Sequence, residues 1–231
     1  PGTDRWVSIG LVSPYVIEAL LTTEDGKFWR HAGVTLPEVR RAIELNLTKG
    51  TLSHGASTIT MQLAKNLFLT SERTVARKLQ ELFLVWYLEQ KLEKEQILEL
   101  YLNVIEYGPG VYGLRSAAAY YFGREPSELS PAEAAYLACM LPSPKRYHVS
   151  YERGALSRGM KNRSLRLLEH MAKRERIGAE ALAYAVAELD DFQFWYPGDP
   201  PPPSRELPPL GAPEEPDPEA LDPYEALFVS P

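Results

Sequence analysis

The sequence predicts an all-α body with a proline-rich C-terminal tail, and three observations predict it. Apolar residues recur every three or four positions in one segment after another, which is the helical period. Alternating strand-like runs are scarce, and no internal repeat is visible. Twelve of the twenty prolines fall between Pro197 and Pro231, so the chain changes character there. A length of 231 residues with 45% hydrophobic and 24% charged side chains suits one globular domain plus a tail. The domain is therefore expected at residues 1–191, followed by an acidic, extended or disordered tail at 192–231.

Taken in order, Ser13-Pro14 starts a helix, because serine caps and proline needs no amide partner at that position. This helix runs toward Leu21 and delivers Glu24 near its C-terminal end. Residues 37–48 form a short helix and Lys49 to Gly55 a loop. In the next helix, from Ser57 to Leu69, Ile59, Leu63 and Leu67 share one side and Thr58, Gln62, Lys65 and Asn66 line an adjacent stripe. Residues 74–92 make a long amphipathic helix whose buried face is expected to hold Val75, Leu79, Leu82, Phe83 and Trp86. A helix from Lys94 to Asn103 leads to a glycine-rich loop, Gly108 to Gly113, and the small run Ser116 to Ala119 permits close helix packing. Ser130-Pro131 starts a helix through Met140, and helices over 151–174 and 179–189 finish the body. Phe192, Phe194, Trp195 and Tyr196 are placed to anchor the tail.

Composition narrows the function. Residues 188–231 hold eleven acids and one base, whereas residues 1–187 hold 24 bases and 20 acids. The mildly basic body suits an anionic ligand or a membrane surface, and lacks the dense basic face with stacking aromatics expected for nucleic acid. The single cysteine, Cys139, lies in an apolar run and reads as core, which removes disulfide and thiolate-metal chemistry. The histidines at 31, 54, 148 and 170 do not have metal-ligand spacing. No apolar run of about 18 residues is present, and the start at Pro1 points to an excised piece that lacks an N-terminal anchor.

Three polar clusters carry candidate chemistry. Glu24-Asp25 sits at a helix end, where the dipole and the neighbouring acid both disfavour a second negative charge and raise the pKa of Glu24. The Thr58, Gln62, Lys65, Asn66 stripe can grip a phosphate with help from a helix N-terminus. Arg77, Lys78 and Glu81 stand three or four apart and meet on one flank. Each cluster alone also fits a solvated helix face, and His31 reads as a hydrogen-bonding histidine that shapes its loop.

In combination they resemble the peptidoglycan glycosyltransferases, glycosyltransferase family 51, found in monofunctional transglycosylases and class A penicillin-binding proteins. The resemblance runs from Val7 to Met171 and comprises five motifs in order. Glu24, Asp25, Phe28, His31 and Gly33 meet the first. Gly55, Ser57, Thr58, Ile59, Thr60 and Gln62 meet the second, which continues into Lys65-Asn66. Arg77, Lys78 and Glu81 are the third. Lys94, Ile97, Leu98, Tyr101, Leu102 and Asn103, ending at Tyr121-Phe122-Gly123, are the fourth. Leu129-Ser130, Glu133-Ala134-Ala135, Pro144, Tyr147, Arg163, Leu168 and Met171 represent the fifth. The chain departs from the pattern at Met61, which replaces a glutamine, at Glu106, where an aromatic is usual, and at Arg124, which replaces a lysine.

The resemblance implies a lysozyme-like helical fold and polymerisation of lipid II into β-1,4-linked glycan, with inversion at the anomeric carbon and release of undecaprenyl pyrophosphate. It implies Glu24 and Glu81 as catalytic residues. Asp25, Ser57, Thr58, Gln62, Lys65, Asn66, Arg73, Arg77, Lys78 and Asn103 are implied in substrate binding. Glu24 is then the base for the acceptor hydroxyl, and Glu81 either orients the cations or holds a divalent ion, Mg or Mn, on the diphosphate. No cofactor is required. The implied partners are lipid II, the growing glycan strand, a membrane surface met by residues 35–52, and other cell-wall synthesis proteins, with no nucleic acid. The implied location is the outer, periplasmic face of the bacterial cytoplasmic membrane. Two rival readings stay open: a lysozyme-like murein hydrolase, and an inactive scaffold in cell-wall assembly.

Overall fold

The computed structural model describes residues 5–34, 57–69 and 75–211, with side chains from residue 80 onward in the last stretch. The expected helix at 37–48, the loop at 49–55, the membrane-facing segment at 35–52, Arg73, the side chains of Arg77 and Lys78, and the tail beyond 211 lie outside the described residues.

The described body is helical: α1 Pro14–Glu24, α2 Ile59–Phe68, α3 Val75–Lys91, α4 Lys94–Val104, α5 Leu114–Phe122, α6 Pro131–Met140, α7 Pro144–Tyr147, α8 Val149–Glu152, α9 Arg158–Lys173 and α10 Ala179–Asp190. Helix α6 is the hub, because every one of its ten residues is buried. Its N-terminus is closed by a capping box in which the Ser130 hydroxyl accepts from the Glu133 amide while the Glu133 carboxylate accepts from the Ser130 amide. Helices α1, α9 and α10 pack around it, and α2 packs separately against α3 and α4. Glu24, at the end of α1, therefore lies where a helix of the first group meets α2 of the second.

Two expectations about local structure are corrected. The glycine-rich loop contains a short antiparallel ribbon, β1 Glu106–Gly108 with β2 Val111–Tyr112, turned at Pro109-Gly110. Among the described side chains of α3 the buried face is formed by Glu81, Val85 and Leu88, one stripe at spacings of four and three, while the expected Val75 and Leu79 side chains lie outside the described residues. Phe83 and Trp86, expected inside, fall on the far side of that helix and are 63% and 57% exposed. Leu67 is likewise exposed near the C-terminus of α2, past the point where α2 is covered. Apolarity identified the helices, but Phe83 and Trp86 show that it did not say which apolar stripe faces inward.

Residues 192–211 carry no helix or strand and pack across the body. Phe192 and Phe194 are buried against Phe122 and Tyr136. The Trp195 ring lies over Gly123, the left-handed residue (φ 61°) that ends α5, where a β-carbon would come within 2.8 Å of the indole. Further on, Arg205 pairs with buried Glu133 and with Glu188, and the Tyr15 hydroxyl donates to the Pro208 carbonyl. The Gly178 amide donates to the Leu210 carbonyl at 2.7 Å.

Candidate active site

The site is assembled by the loop after α1. Asp25 uses both carboxylate oxygens inside the protein: Oδ1 faces His31 Nε2 at 2.8 Å, and Oδ2 accepts from the Ile59 amide at 3.0 Å. The second bond occupies a first-turn amide of α2, so the anion at that helix N-terminus is Asp25 itself. The Gly33 amide donates to His31 Nδ1 at 3.0 Å, which leaves Nε2 as the protonated nitrogen that donates to Asp25. His31 thus holds the loop closed, as its reading from sequence proposed.

Gly33 is needed on two counts. Its φ of 79° is left-handed, and a β-carbon would meet Val85 Cγ1 at 2.5 Å and Glu89 Cγ at 2.8 Å. Its carbonyl accepts from Thr58 Oγ1 at 2.6 Å, and the same oxygen of Thr58 accepts from the Met61 amide and caps α2. Thr58 is therefore buried as a cap, whereas Ser57, Lys65 and Asn66 are exposed around it.

With the two segments locked together, Gln62 projects from α2 to Glu24. Its Nε2 donates to Glu24 Oε2 at 2.7 Å, and its Oε1 accepts from the Tyr101 hydroxyl of α4 at 2.9 Å. Burial pushes the Glu24 carboxyl above its ordinary range; the Gln62 bond pulls it back, and the charge of Asp25 pushes it up again. Burial is the larger cause here, ahead of the neighbouring acid that sequence alone suggested.

On its other side Glu24 borders a cavity of about 340 Å³ lined by Thr22, Cys139, Arg163, Arg166 and His170. Arg163 stacks over the Tyr147 ring at 4.8 Å, which fixes its guanidinium at the rim. Arg166 and His170 follow at one-turn spacings along α9. This cationic wall was missed as a site. Arg163 stood in the fifth motif, but nothing in the linear sequence showed that α9 returns to Glu24.

Glu81 is 4% exposed on the inward stripe of α3. Asn103 serves the fold: its Oδ1 accepts from the Val7 amide and its Nδ2 donates to the carbonyls of Val7 and Glu99, each at 2.8 Å. The departures lie off the site. Met61 is 3% exposed in the core, Glu106 sits 3.8 Å from Lys145, and Arg124 is directed to Glu133 and the Pro203 carbonyl.

The fold and site define a helical domain with a desolvated acid between a fixed amide and a cationic cavity, an arrangement for taking a proton beside an anionic ligand. Residues 2–172 match the family model described as Transglycosylase, and the chain belongs to that family. It is 47% identical over 143 residues to the biosynthetic peptidoglycan transglycosylase of Nitrosospira multiformis, covering 62% of each chain. It is 42% identical over 181 residues to penicillin-binding protein 1A of Aquifex aeolicus, covering 78% of this chain and 24% of that one. Among solved structures, penicillin-binding protein 1A from Haemophilus influenzae aligns at 26% identity over 60% of this chain and 16% of the other, with a TM-score of 0.38. The chain spans about three fifths of the length of the curated biosynthetic transglycosylases it matches.

Proposed function

We propose that this domain polymerises lipid II, with Glu24 as the base that activates the 4-hydroxyl of the incoming acceptor. The observation that carries this reading is the placement of Glu24 between the Gln62 amide and the Arg163–Arg166 cavity. A hydroxyl attacks well only as its proton leaves, and a carboxylate with a raised pKa is the better acceptor of that proton. In the step, the acceptor oxygen bonds to the donor's anomeric carbon and its proton passes to Glu24. The bond from that carbon to the phosphate oxygen breaks, and the electron pair leaves on the diphosphate.

Two anionic groups then need cations. Arg163 and Arg166 are placed for the acceptor's diphosphate. Lys65, one turn beyond Gln62 on α2, begins the donor-side set that Arg73, Arg77 and Lys78 complete in this reading. Among the described residues no three acids, cysteines or histidines converge as a metal cage. Glu81 would either orient these cations or hold a Mg or Mn ion, which would supply charge neutralisation for the diphosphate.

A lipid-linked substrate places the domain at the outer face of the cytoplasmic membrane. No described helix is long and apolar enough to cross a membrane. Phe68, Phe83, Trp86 and Tyr87 instead leave an exposed aromatic surface on α2 and α3, suited to the interfacial zone of a bilayer. Incubation with lipid II, and separately with polymeric glycan, tests the activity. Glycan growth with consumption of lipid II is expected, and shortening of polymer without lipid II consumption contradicts the proposal.

A further inference from the structure

We infer that Tyr101 is a positioning residue for this reaction, fixing which end of the Gln62 amide faces Glu24. The inference rests on the reading of Glu24 as the base.

An amide has a donor end and an acceptor end, and a half-turn about its last torsion exchanges them. Presented to Glu24, the nitrogen end supports the carboxylate, whereas the oxygen end repels it. Gln62 alone does not decide between them. The acceptor-only Glu24 carboxylate favours the nitrogen end, and the Tyr101 hydroxyl holds the amide that way, because it donates to Gln62 Oε1 at 2.9 Å and turning the amide over would forfeit that bond. That leaves Nε2 as the end 2.7 Å from Glu24 Oε2. Tyr101 is 1% exposed, and its other surroundings are the apolar core. Burial and the negative charge of Glu24 both hold its hydroxyl protonated far above neutral pH, so it remains a donor throughout the working range. The relay thus runs from α4 through α2 to the end of α1, and it is anchored at the tyrosine.

Other groups also face Glu24. Asp25 adjoins it on its own loop, Gln62 and Tyr101 approach from α2 and α4, and Cys139 faces it from α6. Arg163, Arg166 and His170 face it from α9. Among the described residues, the Tyr101–Gln62 path reaches Glu24 Oε2 by hydrogen bonds and holds the amide in one orientation. Losing it removes a charge-assisted bond from the ionised form, and the base becomes harder to keep deprotonated.

The test is the pH dependence of lipid II polymerisation in Tyr101→Phe, in Gln62→Asn, whose shorter amide cannot span both partners, and in Gln62→Leu with and without Tyr101→Phe. Expected in Tyr101→Phe and in Gln62→Asn are a displacement of the acidic limb of kcat to higher pH and a fall in kcat of about tenfold at its acidic end, with KM little changed. In the Gln62→Leu background the tyrosine substitution should add nothing further. A limb that stays in place in Tyr101→Phe overturns the inference, as does an equal loss from Tyr101→Phe in both backgrounds. If Tyr101→Phe does not fold, Tyr101→Met and Tyr101→Leu, which also lack the hydroxyl, are read by the same limb. Failure of the wild type to polymerise lipid II would instead remove the functional reading beneath it.

Discussion

The Glu24 carboxylate and the Gln62 amide meet at 2.7 Å across the junction of α1 and α2, 38 residues apart in sequence. That contact makes Glu24 a held group, unlike a solvated helix end. It also opposes the burial that raises the Glu24 pKa, so the acid is kept basic yet still able to ionise.

A stability consequence follows with a definite sign. Because the folded state raises the Glu24 pKa, it binds a proton more tightly than the unfolded chain does, and wild-type stability falls as pH rises from the ordinary carboxylate value through the raised one. Glu24→Gln removes that loss while leaving a carbonyl for the Gln62 amide. Its melting temperature should match wild type near pH 4 and exceed it near pH 8, by about 2–4 °C for each kcal/mol of desolvation relieved. Thermal melts at the two pH values check it, and a lower value for the variant at pH 8 would contradict it.

Gly33→Ala should be costly without touching any reacting group. The left-handed φ and the overlaps with Val85 and Glu89 together imply a loss of about 2–4 kcal/mol, read as a shift of the denaturation midpoint at unchanged slope. A variant within about 0.5 kcal/mol of wild type would show that the loop has another packing available.

How much of this was legible beforehand varies with the kind of interaction. Helices declared themselves through period, and Ser13-Pro14 and Ser130-Pro131 start α1 and α6 as expected; Ser130 caps its helix, whereas the Ser13 hydroxyl donates to the Leu129 carbonyl and makes no cap. Glu24 and Gln62 were both singled out, because the resemblance marks residue types in order. Tyr101 was seen only as part of a motif, because its bond to Gln62 crosses 39 positions and a tyrosine in an apolar helix reads as core. Asp25 and Asn103, expected at substrate, spend their hydrogen-bonding groups on Ile59, His31, Val7 and Glu99, a use that only the folded chain displays. Phe83 and Trp86 were placed inside because hydrophobicity gives the helix but not its rotation against a neighbour.

Removing the cations beside Glu24 should weaken substrate capture more than chemistry. Arg163→Ala and Arg166→Ala are each expected to raise KM for lipid II by about tenfold, with the effect shrinking as salt is added, as for any exposed charge pairing. Steady-state rates at two ionic strengths measure it. An unchanged KM in both variants would place the acceptor's diphosphate elsewhere.

The segment after α10 should behave as part of the fold. Arg205→Ala leaves Glu133, buried at the start of the hub helix, with Arg124 at 3.6 Å as its remaining cation. A loss of about 2–3 kcal/mol is expected, since breaking a buried pair strands its partner. Burial already raises the Glu133 pKa against the pull of Arg205, so the loss should deepen as pH rises and ease near pH 4. Denaturation at both pH values provides the check; equal stability of variant and wild type throughout would make this segment a passive cover.

The central claim is that Glu24 takes the acceptor proton, and the most direct measurement is the initial rate of lipid II polymerisation by Glu24→Gln beside wild type. The amide keeps the size of the side chain and a contact for Gln62 while removing the base. A fall of about 10²–10⁴ in kcat, in a variant that melts no earlier than wild type, is the predicted result. Polymerisation at the wild-type rate in that variant would contradict it.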